Sequence, residues 1–406
     1  MIRIIDGGVC AAKGFKANGV HCGIRKSEKK DLALIVSDVP CTAAAVYTTN
    51  LVKGAPLVVN KAHLENGRAQ AVICNSGIAN TCCADGLEVA EEMACLVEKA
   101  LGIPSQDVLV GSTGVIGQRL DLTPIRNGMP ELVAGLEASA EASDRAEHGI
   151  MTTDTRPKSV AVSFRIGDTE CRLGGIAKGS GMIHPNMATM LVYLTTDAAI
   201  TSEMLAKALK DDVKNTFNMT SVDGDTSTND NVCLLANGLA QNRVIDSEGE
   251  DFSVFMQALN TVTVALCRMI AGDGEGATRL LECRVTGAAD EPNAKIIAKS
   301  VITSSLVKSA MFGADANWGR VLCAIGYSGA KVDVTGVEVA FRSAAGMVRV
   351  CEHGAGIPFS EEEAKAVLLE KEIEILIQLQ DGNADAVAWG CDLTYDYVRI
   401  NGDYRT

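Results

Sequence analysis

Short apolar runs open the chain and predict strands at Leu34–Ser37, Ala44–Thr48 and Ala71–Cys74. Apolar residues then recur at helical spacing over Leu87–Leu101. "DVLVGSTGVIG" reads as a strand at Val108–Val110 running into a glycine turn. Leu132–Glu141 reads as a helix, and the alternation of "SVAVSFRIG" as a strand. Beyond residue 200 the pattern gives a helix over Ser202–Phe217, capped by Thr201 or Ser202, and a strand at Val232–Ala236. A long amphipathic helix over Phe252–Ile270, a strand at Thr278–Val285 and a helix over Asn293–Ser309 follow. The last hundred residues read as strands: "RVLCAIG", "KVDVTG", "VEVAF", "MVRVC", "EIEILIQL", "ADAVAWG" and "TYDYVRI", interrupted by one helix at Glu361–Leu369. Strands outnumber what βαβ alternation needs. The pattern therefore predicts a mixed α/β chain with antiparallel layers and outer helices rather than a doubly wound sheet. Residues 137–158, polar and alanine-rich, read as a surface connection.

Composition narrows the class. The chain has 406 residues, 47% of them hydrophobic, enough for two or three lobes with a large core. Aromatics make up only 4%, so the core is aliphatic. A net charge of -14 repels phosphate backbones and anionic membranes, which argues against nucleic acid or a membrane surface as a partner. The fourteen cysteines contain no C-x-x-C pair, and most are scattered singly in apolar stretches. That favours free buried thiols in a reducing cytosol over disulfides or a zinc site. The N-terminus lacks the long apolar core of a signal peptide, and no run reaches the roughly 18 apolar residues of a membrane span. The expectation is a soluble cytoplasmic protein.

Candidate chemistry is sparse in most places. "AGDGEGATR" (271–279) has Ala277 where a dinucleotide fingerprint needs its last glycine, and it follows a helix instead of opening one. A helix-terminating turn fits better, although Glu275 is held among three glycines where backbone can approach a ligand. "DGDTSTND" (223–230) has Thr228 and Leu234 where a calcium loop needs glycine and glutamate, so a hydrogen-bonded turn network is favoured over a metal. His21, His63, His148, His184 and His353 carry no hydrolase or zinc signature, and His184 reads as a loop residue. "GSTGVIG" (111–117) fits either a plain turn or an oxyanion pocket of consecutive N–H groups, with the plain turn favoured locally. In "KGSGMIHPNMATMLVYLTTDA" (178–198) a glycine loop leads to Thr189 at the start of an apolar strand. A threonine hydroxyl needs a base beside it. Its own α-amine serves once the preceding peptide bond is cut, which makes Thr189 a candidate N-terminal nucleophile.

Longer motifs add a resemblance. "GGVCAAKGFKANGVHCGIR" (7–25), "AAVYTTN" (44–50), "STGVIG" (112–117), "MTTDTRPK" (151–158), "KGSGMIHPNMATML" (178–191), "DGDTSTND", "GDGEGATR" and "FGADANWGR" (312–320) occur in the order found in the ornithine acetyltransferase (glutamate N-acetyltransferase) family of arginine biosynthesis. The chain resembles that family nearly end to end. The resemblance implies a layered α/β/β/α sandwich and self-cleavage between Ala188 and Thr189, giving an alpha fragment 1–188 and a beta fragment 189–406. It places Thr113 and Gly114 at the oxyanion position, and Thr152, Lys178, Thr189, Glu275, Asn401 and Thr406 at substrate-binding positions. By their charge, Lys178 suits a substrate carboxylate and Glu275 an ammonium group. The resemblance further implies acetyl transfer from N2-acetylornithine to glutamate. No metal or cofactor is expected, and acetyl-CoA is left open as a co-substrate. The expected partners are small amino acids and the chain's own fragments, assembled as two alpha plus two beta. Ile78 departs from the family, which usually has asparagine there. An aminopeptidase or amidase on the same self-cleaving scaffold is the alternative, and a nucleotide-binding module built on the glycine loops is a third reading.

Overall fold

The computed structural model of this chain describes residues 2–184 and 190–403. The chain divides into two compact units that interleave along the sequence. The first comprises Met1–Gly179, Asn186–Lys214 and Thr226–Leu266; the second comprises Ser180–Pro185, Asn215–Asp225 and Cys267–Thr406. This division differs in kind from the expected fragments 1–188 and 189–406, whose junction lies outside the described residues.

The first unit is built on a nine-stranded mixed sheet. Its strands are β1 (Arg3–Ile5), β2 (Phe15–Val20), β3 (Leu32–Tyr47), β4 (Arg68–Ile78), β5 (Val108–Val115), β6 (Ser159–Ile166), β7 (Thr169–Lys178), β8 (Leu191–Thr196) and β9 (Asn231–Ala236). They run in the order β1-β6-β7-β8-β9-β3-β4-β5, with β2 also paired to β3. The β4–β5 and β8–β9 pairs are parallel and the others antiparallel. Helices α1 (Ala55–His63), α2 (Gly86–Leu101), α3 (Thr123–Ala134), α4 (Ala140–Ile150), α5 (Ser202–Val213) and most of α6 (Glu250–Gly272) belong here. Strand alternation on β3 feeds two cores. Leu32, Leu34 and Val36 join Ile73, Met93, Val97 and Ile125 on one face. Ala33, Ile35, Cys41 and Ala43 join Phe15, Val72, Ile150 and Tyr193 on the other.

The second unit carries a six-stranded mixed sheet in the order β13-β12-β11-β14-β10-β15. These are β10 (Leu280–Ala288), β11 (Glu338–Ser343), β12 (Gly346–Glu352), β13 (Ala355–Gly356), β14 (Glu372–Gln378) and β15 (Ala384–Cys391). Helices α7 (Glu291–Thr303), α8 (Ser305–Phe312), α9 (Trp318–Gly326), α10 (Glu361–Leu368) and α11 (Tyr395–Gly402) accompany it. The α/β class with mixed sheets is as the pattern predicted.

Several elements differ from the pattern, each for a local reason. The two early strands are one, β3, whose pairing to β4 shifts between Val36 and Cys41. Pro40 lies in that gap, where it has no N–H to give. The expected helix over Leu132–Glu141 is broken: Asn18 Nδ2 donates to the Leu132 carbonyl at 2.9 Å and takes up the end of α3. The expected surface connection holds α4 instead, capped by Ser139, which accepts from the Ala142 N–H, and buries Ala142, Ala146, Glu147 and Ile150. Ser304 splits the helix over 293–309 by capping α8 through the Val307 N–H. "RVLCAIG" is helical, because Asn317 caps it and Val321, Ala324 and Ile325 fall on one buried face. "TYDYVRI" is likewise mostly helix, capped by Thr394. "KVDVTG" ends in a short 3-10 turn held by Asp333.

Among the described residues one helix, α6, is after all long and apolar enough to cross a membrane by length and composition. Its residues Phe255, Leu259, Val262, Leu266 and Ile270 recur at helical spacing and are fully buried in the protein, as in a core helix. All fourteen cysteines are free, as expected; most are at least half-buried, while Cys82 and Cys323 are exposed.

The buried face of α4 carries one ionisable group. Glu147 is fully buried, and neither carboxyl oxygen has a hydrogen-bond partner among the described residues. Burial pushes its pKa up to about 8. Asp144 and Asp154 push the same way, and Lys158 opposes them. From the ordinary value of 4.5 up to about 8, the unfolded chain sheds this proton while the folded chain keeps it. Stability is thus lost as pH rises through that window. Glu147→Gln has no proton to shed. Relative to wild type it should gain roughly 1.4 kcal/mol per pH unit across the window and nothing below it. Urea unfolding of both proteins at three pH values within and below the window checks this; parallel stability curves would refute it.

Candidate active site

Thr113 and Gly114 lie within β5, not in a turn after it. The strand expected to stop at Val110 continues to Val115, pairing Ser76 with Thr113 and Gly77 with Gly114. Gly114 has φ +126° and Gly77 φ +103°, so the end of this parallel pair adopts a backbone closed to other residues. A Cβ on Gly114 would strike the Gly77 backbone. The turn proper comes later, where Gly117 has φ +78° and its N–H reaches the Thr81 carbonyl at 3.0 Å.

"DGDTSTND" forms the hydrogen-bonded turns predicted for it. Asp223 accepts from the Asp225 N–H, and Ser227 from the Asn229 N–H. Asn229 also does something the motif did not announce. Its Nδ2 donates to the Ser112 carbonyl at 3.0 Å and to the Ala79 carbonyl, and its Oδ1 accepts from Thr81 and Thr228. One side-chain amide thereby ties the residue before Thr113 to the 79–81 segment. Ile78, the departure from the family, is buried in the apolar core, and the polar network beside it runs through Asn75, Asn80 and Asn229 instead.

Arg25 was not singled out in the sequence. Its side chain lies against Gly77, where a Cβ would meet it at 2.9 Å. Its guanidinium donates to the carbonyls of Met151 and Thr152 at 2.9 and 3.4 Å. It therefore bridges the Gly77–Gly114 strand pair and Thr152. No periodicity or motif marks such a long-range strut.

Lys178 ends β7 and pairs in register with Leu191, the first residue of β8. It is 8% exposed. Its Nζ stands 3.9 Å from Asp154 Oδ2 and makes no hydrogen bond among the described residues. Asp154 accepts from the Thr152 N–H at 3.0 Å, which brings two of the expected substrate residues onto one carboxylate. Burial alone would raise the Asp154 pKa, but the adjacent Lys178 and Lys158 ammonium groups hold its carboxyl far below the usual range. Asp230, fully buried in front of β9, goes the other way: burial raises its pKa well above normal against the opposing pull of Lys178.

In the second unit, "GDGEGATR" terminates α6 and leads into β10, as its reversed order predicted. Glu275 is 6% exposed. Its N–H donates to the Ser180 carbonyl at 2.9 Å, and its Oε2 accepts from Asn401 Nδ2 at 2.8 Å. Gly181 is glycine because a Cβ there would strike the Glu275 carboxylate. Two further expected residues, Glu275 and Asn401, are thus side by side. Ala188, Thr189 and Thr406, the remaining expected site residues, lie outside the described residues.

His184 stands 3.1 Å from Ser221 Oγ, the contact a serine hydrolase would need. Ser221 is buried and gives its proton to the Ile183 carbonyl at 3.1 Å, so the imidazole donates here. Burial and the Lys299 charge lower the His184 pKa to about 4, leaving a neutral ring. The pair holds the loop and is not an activated nucleophile. Among the described residues no group of three or more His, Cys, Asp or Glu is placed to hold a metal.

Comparison with known proteins gives the same frame. The profile of the ArgJ family matches residues 16–406. The chain is 49% identical to the arginine biosynthesis bifunctional protein ArgJ of Caldanaerobacter subterraneus subsp. tengcongensis, over all of both chains. It is 49% identical to ArgJ 1 of Clostridium acetobutylicum, over 97% of this chain and 96% of that one. The crystal structure of ArgJ from Bacillus halodurans is 47% identical and superposes with a TM-score of 0.50, covering 53% of this chain and 99% of that one. Sequence identity at this level over the full length leaves one assignment: the chain belongs to the ArgJ family.

Proposed function

We propose that this enzyme transfers the acetyl group of N2-acetyl-L-ornithine to L-glutamate, giving L-ornithine and N-acetyl-L-glutamate in arginine biosynthesis. The observation that carries the reading is the 49% identity to a curated arginine biosynthesis bifunctional protein along the whole of both chains. The grouping of Thr152 with Lys178, and of Glu275 with Asn401, supports it.

The mechanism follows from the chemistry of the named groups. The Thr189 hydroxyl attacks the acetyl carbonyl, and its α-amine, freed by cleavage after Ala188, takes the proton. A model α-amine pKa of about 7.7–8.0 suits that task near neutral pH. Donors at Thr113 and Gly114 hold the oxyanion; one such donor is typically worth about 3 kcal/mol. Ornithine departs with the proton, leaving acetyl-threonine. The glutamate amine then attacks the ester, and the threonine oxygen recovers its proton as N-acetylglutamate leaves. Lys178 meets the α-carboxylate and Glu275 an ammonium group. The rigid element that such a nucleophile needs behind it begins two residues on. From Leu191, β8 is paired on both sides, to β7 and to β9.

The same reading places the enzyme in the cytoplasm, where its free thiols persist, as two alpha and two beta fragments. It needs no metal or cofactor. The relatives' description as bifunctional supports acetyl-CoA as a second acetyl donor to glutamate.

Two outcomes are expected. On a denaturing gel the wild type should run as two fragments, the second beginning Thr-Met-Leu-Val. Thr189→Ala should stay whole and inactive, and Thr189→Ser should cleave at least in part. A wild type that remains whole while turning over would remove the Thr189 assignment.

Initial rates with both substrates varied should give parallel double-reciprocal lines, because ornithine leaves before glutamate reacts. Intersecting lines would point to direct transfer. Acetate release without transfer would point to an amidase on the same scaffold.

A further inference from the structure

We infer that Asp154, backed by Lys158, is the positioning residue that presents the Lys178 ammonium to the substrate α-carboxylate. This rests on the acetyltransferase reading and deepens it.

Asp154 is 5% exposed and accepts from three donors along the chain. Oδ2 takes the Thr152 N–H at 3.0 Å. Oδ1 takes the Gly179 N–H and the Lys158 Nζ, each at 2.7 Å. One carboxylate therefore fixes the turn carrying Thr152 and the residue following Lys178. Its two lysines are used differently. Lys158 is fully buried and spends its ammonium on Asp154 and on the Arg156 carbonyl at 3.3 Å. Lys178 stands off at 3.9 Å, close enough for Coulomb attraction and too far for a hydrogen bond. Its donors stay unspent among the described residues.

The charge count explains the standoff. Lys158 already neutralises Asp154, so Asp154 attracts Lys178 without satisfying it. The other carboxyls that face the cluster are Glu147, on α4, and Asp230, ahead of β9, and burial favours the neutral form of each. Asp144 acts on Glu147 from the exposed side of α4. Among the described residues, what remains is one carboxylate and two ammonium groups, an excess of one positive charge. A buried unpaired cation is costly unless an anion completes it. An α-amino acid brings that anion, and both substrates of the reaction carry one.

The test reads recognition of the carboxylate separately from folding. Wild type, Asp154→Asn and Lys158→Met, each as the full chain, are assayed with N2-acetylornithine and with N-acetyl-1,4-diaminobutane, the same donor without its carboxylate. Binding of ornithine and of 1,4-diaminobutane is measured in parallel by calorimetry. Wild type should prefer the carboxylate-bearing member of each pair. Asp154→Asn should cut that preference by about tenfold or more, through KM and Kd rather than kcat, as expected for loss of a charge-assisted contact. Lys158→Met should cut it too, because Asp154 then draws Lys178 into a direct pair. A purely structural role would lower both members alike. An unchanged preference in whichever variant folds overturns the inference. Absent acetyl transfer by wild type that still prefers ornithine would overturn only the reaction, since the calorimetric preference does not depend on turnover.

Discussion

Two-sided burial of the nine-stranded sheet is the constraint on which the first unit depends. With aliphatic cores on both faces, a polar side chain within the sheet has to find partners locally or do without. Half of the strand length is accordingly Val, Ile, Leu and Ala. The exceptions gather at strand ends: Asn75, Ser76, Ser112, Asp230 and Asn231 are all buried, and each has a side-chain atom without a hydrogen-bond partner among the described residues. Tyr193 joins them, its hydroxyl lying against Gly111. Such groups lower stability, and their concentration around Thr113 and Lys178 marks where the fold gives up stability for chemistry.

Charge is handled in the same economical way. Glu147, Asp154, Lys158 and Lys178 are among the ionisable groups at least nine-tenths buried in the first unit. A buried ion survives by pairing or by changing its protonation. Asp154 pairs with Lys158. Glu147, with no hydrogen bond to hold its charge, is pushed toward the neutral acid. The second unit uses another device. Glu275 is held at a glycine turn, with its backbone fixed by Ser180 and its carboxylate by Asn401, so that its direction is set by hydrogen bonds on either side.

The strands and long helices were legible in the sequence wherever one period ran uninterrupted, as at Gly86–Leu101 and Glu372–Gln378. They were misread where an apolar run was short enough to satisfy both periods. In "RVLCAIG" the Asn317 cap decides for helix, and in "TYDYVRI" the Thr394 cap does. They were also misread where a distant side chain intervened, as Asn18 does at the end of α3. Of the site, the motifs supplied Thr113, Gly114, Thr152, Lys178, Glu275 and Asn401. They did not supply Arg25, Asn229 as a clamp, or the Asp154–Lys158 pair, because each acts on a residue far from it in sequence or buried beneath the motif it stands in.

By itself, then, the sequence determined the α/β class, the aliphatic core, the motif order that places the chain in its family, and the residue types available for acyl transfer. These are properties of composition, period and local spacing, which survive in one dimension. The tertiary structure decided which polar groups keep their charge and which spend it. Lys158 and Lys178 are the same residue type, both buried and both within quoted motifs, and one hydrogen-bonds Asp154 while the other stands off from it. The difference is 2.7 Å against 3.9 Å from a single carboxylate: Lys158 lies four residues from Asp154, but Lys178 reaches it only once β7 has formed beside it.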